Sequence, residues 1–470
     1  MRIEFHISQN GQRIQTGVFH ETKRMVSEKL WWSIVNIPLE KINGWIDVDV
    51  RFTIEQNGKT VTYHNDNYRT SSRKPLRVYV AGESLPSFSN LFLGETHSHS
   101  NYTDDHVEFG APLAPARHVA ELLGLSFFCV TDHSYDLDDS LDSFLVNDPA
   151  FPKWKFLQQE IDALNAMTNK FVILRGEEVS CRNIDSQNVH FLLLGNRTFF
   201  AGSGDGAEKW NQTRSEWSIP EILDQKEPET AAYAAHPCEK VSFLQKLLLH
   251  RGKWKEFDFA HAKLHGVQFA NGKRGKGFSD GKRAWVDALL CGQKIFALAG
   301  NDAHGNFNRF RQIGIPFFKI RETHHQLFGS MRTGVFVSSL SEETILQALR
   351  NGNSILTDGP VLNILDESQT ATLIGSTLSG TAHTILLSAK TSKEFGGFHR
   401  IQIFKGTIGA SQEQVVETMM LHGETTFTVS RKIKIDTASY IRVEAWTNAA
   451  GTASNQSHFC ITNPLWCSPT

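Results

Sequence analysis

The chain of 470 residues has no CxxC pair, and its six cysteines, at 129, 181, 238, 291, 460 and 467, are scattered. This excludes a zinc ribbon and a dense disulfide framework, and fits reduced, mostly buried thiols. An excess of one charge is also lacking: 48 lysines and arginines nearly balance 50 aspartates and glutamates. That argues against a general nucleic-acid binder or a membrane-surface protein, so any steering of a substrate must come from local charge. No stretch approaches the roughly eighteen apolar residues of a membrane-spanning helix. The start, Met1-Arg2-Ile3-Glu4-Phe5-His6, lacks the apolar run of a signal peptide. A cytoplasmic protein with no membrane contact is expected. Internal repeats and low-complexity tracts are absent as well. The length exceeds what one simple core accommodates, so two or three domains are expected.

Three compositional zones divide the chain. Residues 1–88 alternate apolar and polar positions, as in Trp45-Ile46-Asp47-Val48-Asp49-Val50, with turn signals at Asn10-Gly11 and Asn57-Gly58. This pattern predicts a small β domain. From 89 to 360, seven apolar strand-like runs alternate with helical stretches: Leu91 to His97, Leu125 to Asp132, Lys170 to Glu177, Val189 to Leu194, Ala231 to His236, Val267 to Ala270 and Ile295 to Asp302. Such alternation predicts βα units and a parallel sheet or barrel, closed by a capped helix over Ser341 to Leu349. After Gly359-Pro360 alternation returns, and 361–470 reads as an all-β sandwich. The glycine-rich loop between Asn196 and Trp217 lacks periodicity and fits a lid or a disordered surface loop equally.

Metal-ligand residue types gather at the ends of those runs. His97 and His99, two apart on a strand, present both imidazoles on one face, and Asp104 follows as a hard oxygen donor. Further runs end in Thr131-Asp132-His133, Gly176-Glu177-Glu178, His236-Pro237 and Asp302-Ala303-His304. In a parallel barrel all strand C-termini meet on one face. His190 stands apart, because it lies near the start of its run.

Taken together, these motifs resemble the PHP (polymerase and histidinol phosphatase) metallohydrolase family over roughly residues 90–310. Val267-Gln268-Phe269-Ala270-Asn271-Gly272, Trp285 and Leu356-Thr357-Asp358-Gly359-Pro360 are similar to its carbaryl-hydrolase-like branch. The resemblance implies a distorted seven-stranded (β/α) barrel flanked by N- and C-terminal β domains, with two or three divalent ions (zinc, manganese or iron). Position by position, it implies that His97, His99 and Asp302 hold the first ion and that Glu178 bridges to a second, completed by His190 and His236. Asp104, His133 and His304 would hold a third. Where the family usually has aspartate two residues before the first histidine, this chain has Glu95. Glu95 and Asp132 are expected to orient imidazoles from behind. A one-residue slip would move the bridge from Glu178 to Glu177.

The resemblance further implies hydrolysis by a metal-bridging hydroxide without a covalent enzyme intermediate, Glu178, Asp302, His236 and Arg309 being the catalytic residues. A small anionic substrate is expected, a phosphoester first and a carboxylester or carbamate as the alternative; a scaffold with a structural barrel is the reading from another class. Candidate substrate-binding residues are Lys273, Arg274, Lys276, Lys282 and Arg283, a basic, glycine-rich segment after the sixth run, together with Arg182, Arg309 and Arg311. Nothing in the sequence decides between monomer and homo-oligomer.

Overall fold

The computed structural model describes residues 1–20, 31–39, 41–65, 75–104, 110–204, 213–305, 312–315, 318–321, 326–369, 371–449 and 454–469. It divides into two compact units, Met1–Ser84 with Asn306–Leu327, and Leu85–Gly305 with Phe328–Thr470.

The first unit contains five antiparallel strands, β1 (Arg2–Gln9), β2 (Gln12–His20), β3 (Gly44–Gln56), β4 (Lys59–His64) and β5 (Leu76–Val80), ordered β2-β1-β3-β4 with β5 on β3. Asn10-Gly11 and Asn57-Gly58 make the two tight hairpins with positive φ at both residues, the backbone that Asn-Gly tolerates and the strand twist demands. Alternation buries Ile3, Phe5 and Ile7 of β1, with Phe5 and Ile7 packed against Ile46 of β3.

In the second unit each of the seven apolar runs is a strand: β6 (Leu91–His99), β7 (Phe127–Val130), β8 (Val172–Arg182), β9 (Asn188–Leu194), β10 (Ala231–Ala235), β11 (Gly266–Asn271) and β12 (Phe296–Gly300). A two-residue β13 (Ala303–His304) pairs with β6. The short hairpin β14 (Gln312–Ile315) and β15 (Phe318–Arg321) falls in the first unit. Further strands of the second unit are β16 (Arg332–Phe336), β17 (Ser354–Thr357), β18 (Val361–Leu365), β19 (Thr377–Ser379), β20 (Ala382–Lys390), β21 (Phe398–Thr407), β22 (Gln414–Met420), β23 (Thr426–Lys434), β24 (Ser439–Thr447), β25 (Phe459–Thr462) and β26 (Leu465–Ser468). Among the helices are α1 (Leu113–Leu122), α2 (Ser134–Leu137), α3 (Pro152–Ala166), α4 (Ile219–Gln225), α5 (Phe243–Leu248), α6 (Lys276–Leu290) and α7 (Glu342–Asn351). None of the described helices is long and apolar enough to cross a membrane.

Strands β6 to β12 are hydrogen-bonded in chain order, and β16 and β17 extend the same sheet from β6 into β25, β24, β21 and β22. Strands β18, β20 and β23 form a separate layer. The end of β12 returns to β6: Thr96 Oγ1 donates to the Ala299 carbonyl at 2.9 Å, and the Asp302 N–H donates to the His97 carbonyl at 2.9 Å. Gly300 makes this approach feasible, since a Cβ there would fall 2.8 Å from the His97 Cβ.

The all-parallel expectation needs one correction. Strand β9 runs antiparallel to both β8 and β10. Five residues separate β8 from β9, too few for the crossover a parallel pair needs, so the chain turns back as a hairpin. Reversal places the start of β9 beside the end of β8, with Ser180 opposite His190. The position of His190 near the start of its run is therefore what brings it to the face where the other strands end.

A candidate metal centre

Strand alternation sends Glu178 and Glu177 to opposite faces of β8. Glu178 is fully buried, and each of its oxygens faces a different set of imidazoles. Oε1 lies 2.6 Å from His190 Nδ1 and 3.1 Å from His236 Nε2. Oε2 lies 3.0 Å from His133 Nδ1, 3.3 Å from His97 Nε2 and 3.4 Å from His99 Nε2. Asp302 Oδ1 closes the other side, 3.2 Å from His99 Nε2 and 3.5 Å from His97 Nε2. The His304 ring stacks on that of His99, with centroids 4.0 Å apart. Three sets of donor atoms converge tightly enough to share an ion: His97, His99, Glu178 and Asp302; His133, Glu178 and His190; His99, His133 and His304. Asp104 joins none of the three, and neither does His236, whose Nε2 reaches only the Glu178 oxygen among the described residues.

Glu177, on the opposite face, accepts from Asn196 Nδ2 at 2.9 Å and the Phe200 N–H at 3.3 Å. Burial pushes its carboxyl up to about 8. Burial would raise Glu178 too, but the electrostatic pull of the His190, His97 and His133 rings around it outweighs that and holds the carboxyl well below the usual range. Asp302 is likewise held low, burial being outweighed by His97 and a hydrogen bond from His99. Burial depresses His97, yet Glu178 and Asp302 lift it to about 9. Such a site draws in positive charge.

The residues behind the imidazoles differ in part from expectation. His97 Nδ1 lies 3.0 Å from Gln268 Oε1, and Gln268 Nε2 donates to Asn271 Oδ1. With its Nδ1 proton given to Gln268, His97 points Nε2 at Glu178 and Asp302; the two carboxylates hold a second proton there, and once it leaves, the Nε2 lone pair faces both. Both His97 Nε2 and Glu178 Oε2 are buried without a hydrogen-bond partner. Two electron-rich atoms facing each other at 3.3 Å suit a cation between them, so the residues fit a bound metal. Glu95 does not reach an imidazole; it accepts from the backbone N–H groups of His97, Asn301 and Gly329 and from the Asn301 side chain, tying β6 to the end of β12. Asp132 accepts from the Ser100 N–H and from Thr103 Oγ1, and Thr103 Oγ1 in turn sits 3.5 Å from His99 Nδ1. Asp132 therefore acts on His99 through a hydroxyl.

Two residues that close strands here, His236 (φ 29°) and Asp302 (φ 53°), have left-handed backbones. Aspartate tolerates this, whereas histidine before a proline does so only when its surroundings hold it there.

The basic segment behaves differently from a phosphate loop. Residues from Lys276 onward form α6, and the segment packs toward the C-terminal strands. Arg274 donates to the Ser457 carbonyl and stacks over Trp446, while Lys282 pairs with Glu444, whose partner is the buried Arg442. Lys276 is exposed beside Asp280, and Lys273 and Arg283 are exposed as well. Among the described residues none of these five pairs with the histidine cluster. Arg182 donates to the Glu216 carbonyl and lies 3.5 Å from Glu221. Arg309, Arg311 and the middle of the expected lid, residues 205–212, lie outside the described residues. Among the described residues, a cation that does reach the cluster is Arg251, whose Nη1 donates to His190 Nε2 at 2.7 Å. No spacing signal marks it in the sequence.

No protein-family model matches the chain, and no curated protein matches it. Among solved structures it is similar to a two-domain protein from Bacteroides vulgatus described as containing a predicted PHP-like metal-dependent phosphoesterase. The identity is 15%, the match covers 77% of this chain and 92% of that one, and the TM-score is 0.37.

Proposed function

We propose that the protein is a metal-dependent hydrolase of PHP type acting on a phosphoester, with β6 to β12 as its distorted barrel. The observation that carries this proposal is the convergence of six buried histidines on the buried Glu178 and the partly exposed Asp302, two carboxylates held ionised. His97, His99 and Asp302 would hold one ion, and His190 and His236 a second. Glu178, with one oxygen toward each set, would bridge them. His133 and His304 would serve a third alongside His99. When bound, such ions supply Lewis-acid activation of water and of the scissile group. Gln268 holds the His97 tautomer, the Asp132–Thr103 pair steadies His99, and burial excludes bulk water from the histidines. Arg251 and Lys240, which line the same recess as His190 and His236, supply positive charge for an anionic substrate.

One observation favours a second reading, hydrolysis of a carboxylester or carbamate: Arg274 and Lys282 are committed to the C-terminal strands. Metal analysis combined with chromogenic phosphomonoester, phosphodiester, carboxylester and carbamate substrates separates the two. Turnover of a phosphoester that chelation abolishes is expected. Metal-independent turnover overturns the mechanism, and ester or carbamate turnover alone overturns the substrate class.

A further inference from the structure

His190 has two ring nitrogens and both are engaged. Nδ1 lies 2.6 Å from Glu178 Oε1, a carboxylate oxygen that only accepts, so Nδ1 carries the proton. Arg251 faces both ring nitrogens, Nη1 at 2.7 Å from Nε2 and Nη2 at 3.2 Å from Nδ1; since the shorter contact with Glu178 claims the Nδ1 proton and a guanidinium only donates, Nε2 presents its lone pair to Arg251. This neutral imidazole has no electron pair left for a metal ion. An ion on Nε2 must take the place of Arg251. An ion on Nδ1 shifts the proton to Nε2, where it would face an Arg251 N–H. Either way the guanidinium has to leave. Its backbone is pinned, because the Asn188 N–H donates to the His250 carbonyl and the Gly252 N–H donates to the Asn188 carbonyl. Only the side chain need swing. The recess it would enter is lined by His190, His236, Glu239, Lys240, Arg251 and Trp254.

From this geometry we propose that Arg251 and a metal ion compete for His190, and that the displaced guanidinium is the receptor for the anionic group of the substrate. The inference rests on the hydrolase reading above. It assigns a specificity role to a residue that hydrogen-bonds a metal-ligand imidazole. A tetrahedral oxyanion suits it, since the guanidinium fork offers two parallel donors to such a group while Lys240 adds charge nearby. Metal loading and substrate binding are then coupled in order: the ion that completes the centre also releases the anion receptor.

The test is calorimetric titration of Mn²⁺ into the metal-stripped full chain, followed by inorganic phosphate into the loaded protein, for wild type and Arg251→Met. The methionine variant should bind the ion at His190 about tenfold more tightly and inorganic phosphate at least about tenfold more weakly. A variant that binds both like wild type overturns the proposal, as does one whose metal affinity falls. Should Arg251→Met fail to fold, ¹⁵N NMR of the histidine rings in metal-stripped wild type decides: the proposal requires His190 to be protonated on Nδ1, and an Nε2–H tautomer overturns it. If wild type binds no divalent ion, the hydrolase reading falls as well; if it binds ions that Arg251→Met does not affect, only the role of Arg251 falls.

Discussion

His97 on β6 and Gln268 on β11 are joined by a 3.0 Å hydrogen bond, ring Nδ1 to amide oxygen, across 171 residues of sequence. It fixes which nitrogen of His97 points inward. The amide is itself held, because its nitrogen donates to Asn271, which donates to Glu239. Gln268→Leu should lower affinity for the ion on His97 by roughly 10- to 100-fold, the usual effect of losing a partner behind a metal-binding imidazole. Gln268→Glu, which keeps an acceptor in place, should restore most of it. Metal titration checks both, and wild-type affinity in the leucine variant would show that the ring is oriented by something else.

The adjacent glutamates should respond in opposite ways. Glu178→Gln removes the oxygen pair that faces five imidazoles and should lower turnover more than about a hundredfold. Glu177 faces Asn196 and Phe200, and burial keeps its proton on at neutral pH, so glutamine imitates the form already present. Glu177→Gln should leave turnover within about twofold. Steady-state kinetics on the two variants also tests the one-residue slip that the Glu-Glu sequence leaves open.

Metal removal should loosen the fold. A ligand that binds only the folded state stabilises it by about 2.7 kcal/mol at a hundredfold excess over its Kd. Chelation should therefore lower the thermal unfolding midpoint of the wild type measurably, while that of Glu178→Gln should move much less. Equal shifts in the two proteins would place the ion elsewhere.

Local pattern made part of this legible in advance. Two-residue spacing put His97 and His99 on one face, Asn-Gly pairs marked both hairpins, and continuous apolar runs marked strands buried on both sides. Strand direction is not written locally. Nothing in Phe191-Leu192-Leu193-Leu194 shows that β9 runs backwards, so His190 could be placed only by resemblance. Gln268 and Arg251 were equally hidden, because each acts on a histidine 171 or 61 residues away. The basic segment misled for a different reason. Five positive charges in eleven residues resemble an anion loop, yet the charges of Arg274 and Lys282 are spent on partners more than 150 residues downstream, and composition does not show where a long side chain ends.

Lys282 gives that last point a quantitative test. It shares Glu444 with the fully buried Arg442, which also pairs with Glu413 and lies over Phe404. Burial would raise the Glu444 carboxyl, but Arg442 and Lys282 bring it down to about 2. A carboxylate whose folded value is depressed stabilises the fold above its unfolded value and loses that contribution as pH falls through the folded one. Between about pH 4.5 and 2 the wild type should therefore lose up to about 3 kcal/mol from this group. Glu444→Gln should flatten that acid limb. At neutral pH it should cost roughly 1.5–3 kcal/mol, because it removes one of the two carboxylates that the buried Arg442 pairs with and leaves Glu413 as the other. Lys282→Met removes only the more exposed partner and should cost less. Denaturant unfolding from pH 2 to 7 measures both variants. Kinetics on the folded Lys282→Met protein completes the test, since a strut between α6 and β24 should leave KM within about twofold and a substrate-binding lysine would raise it at least about tenfold.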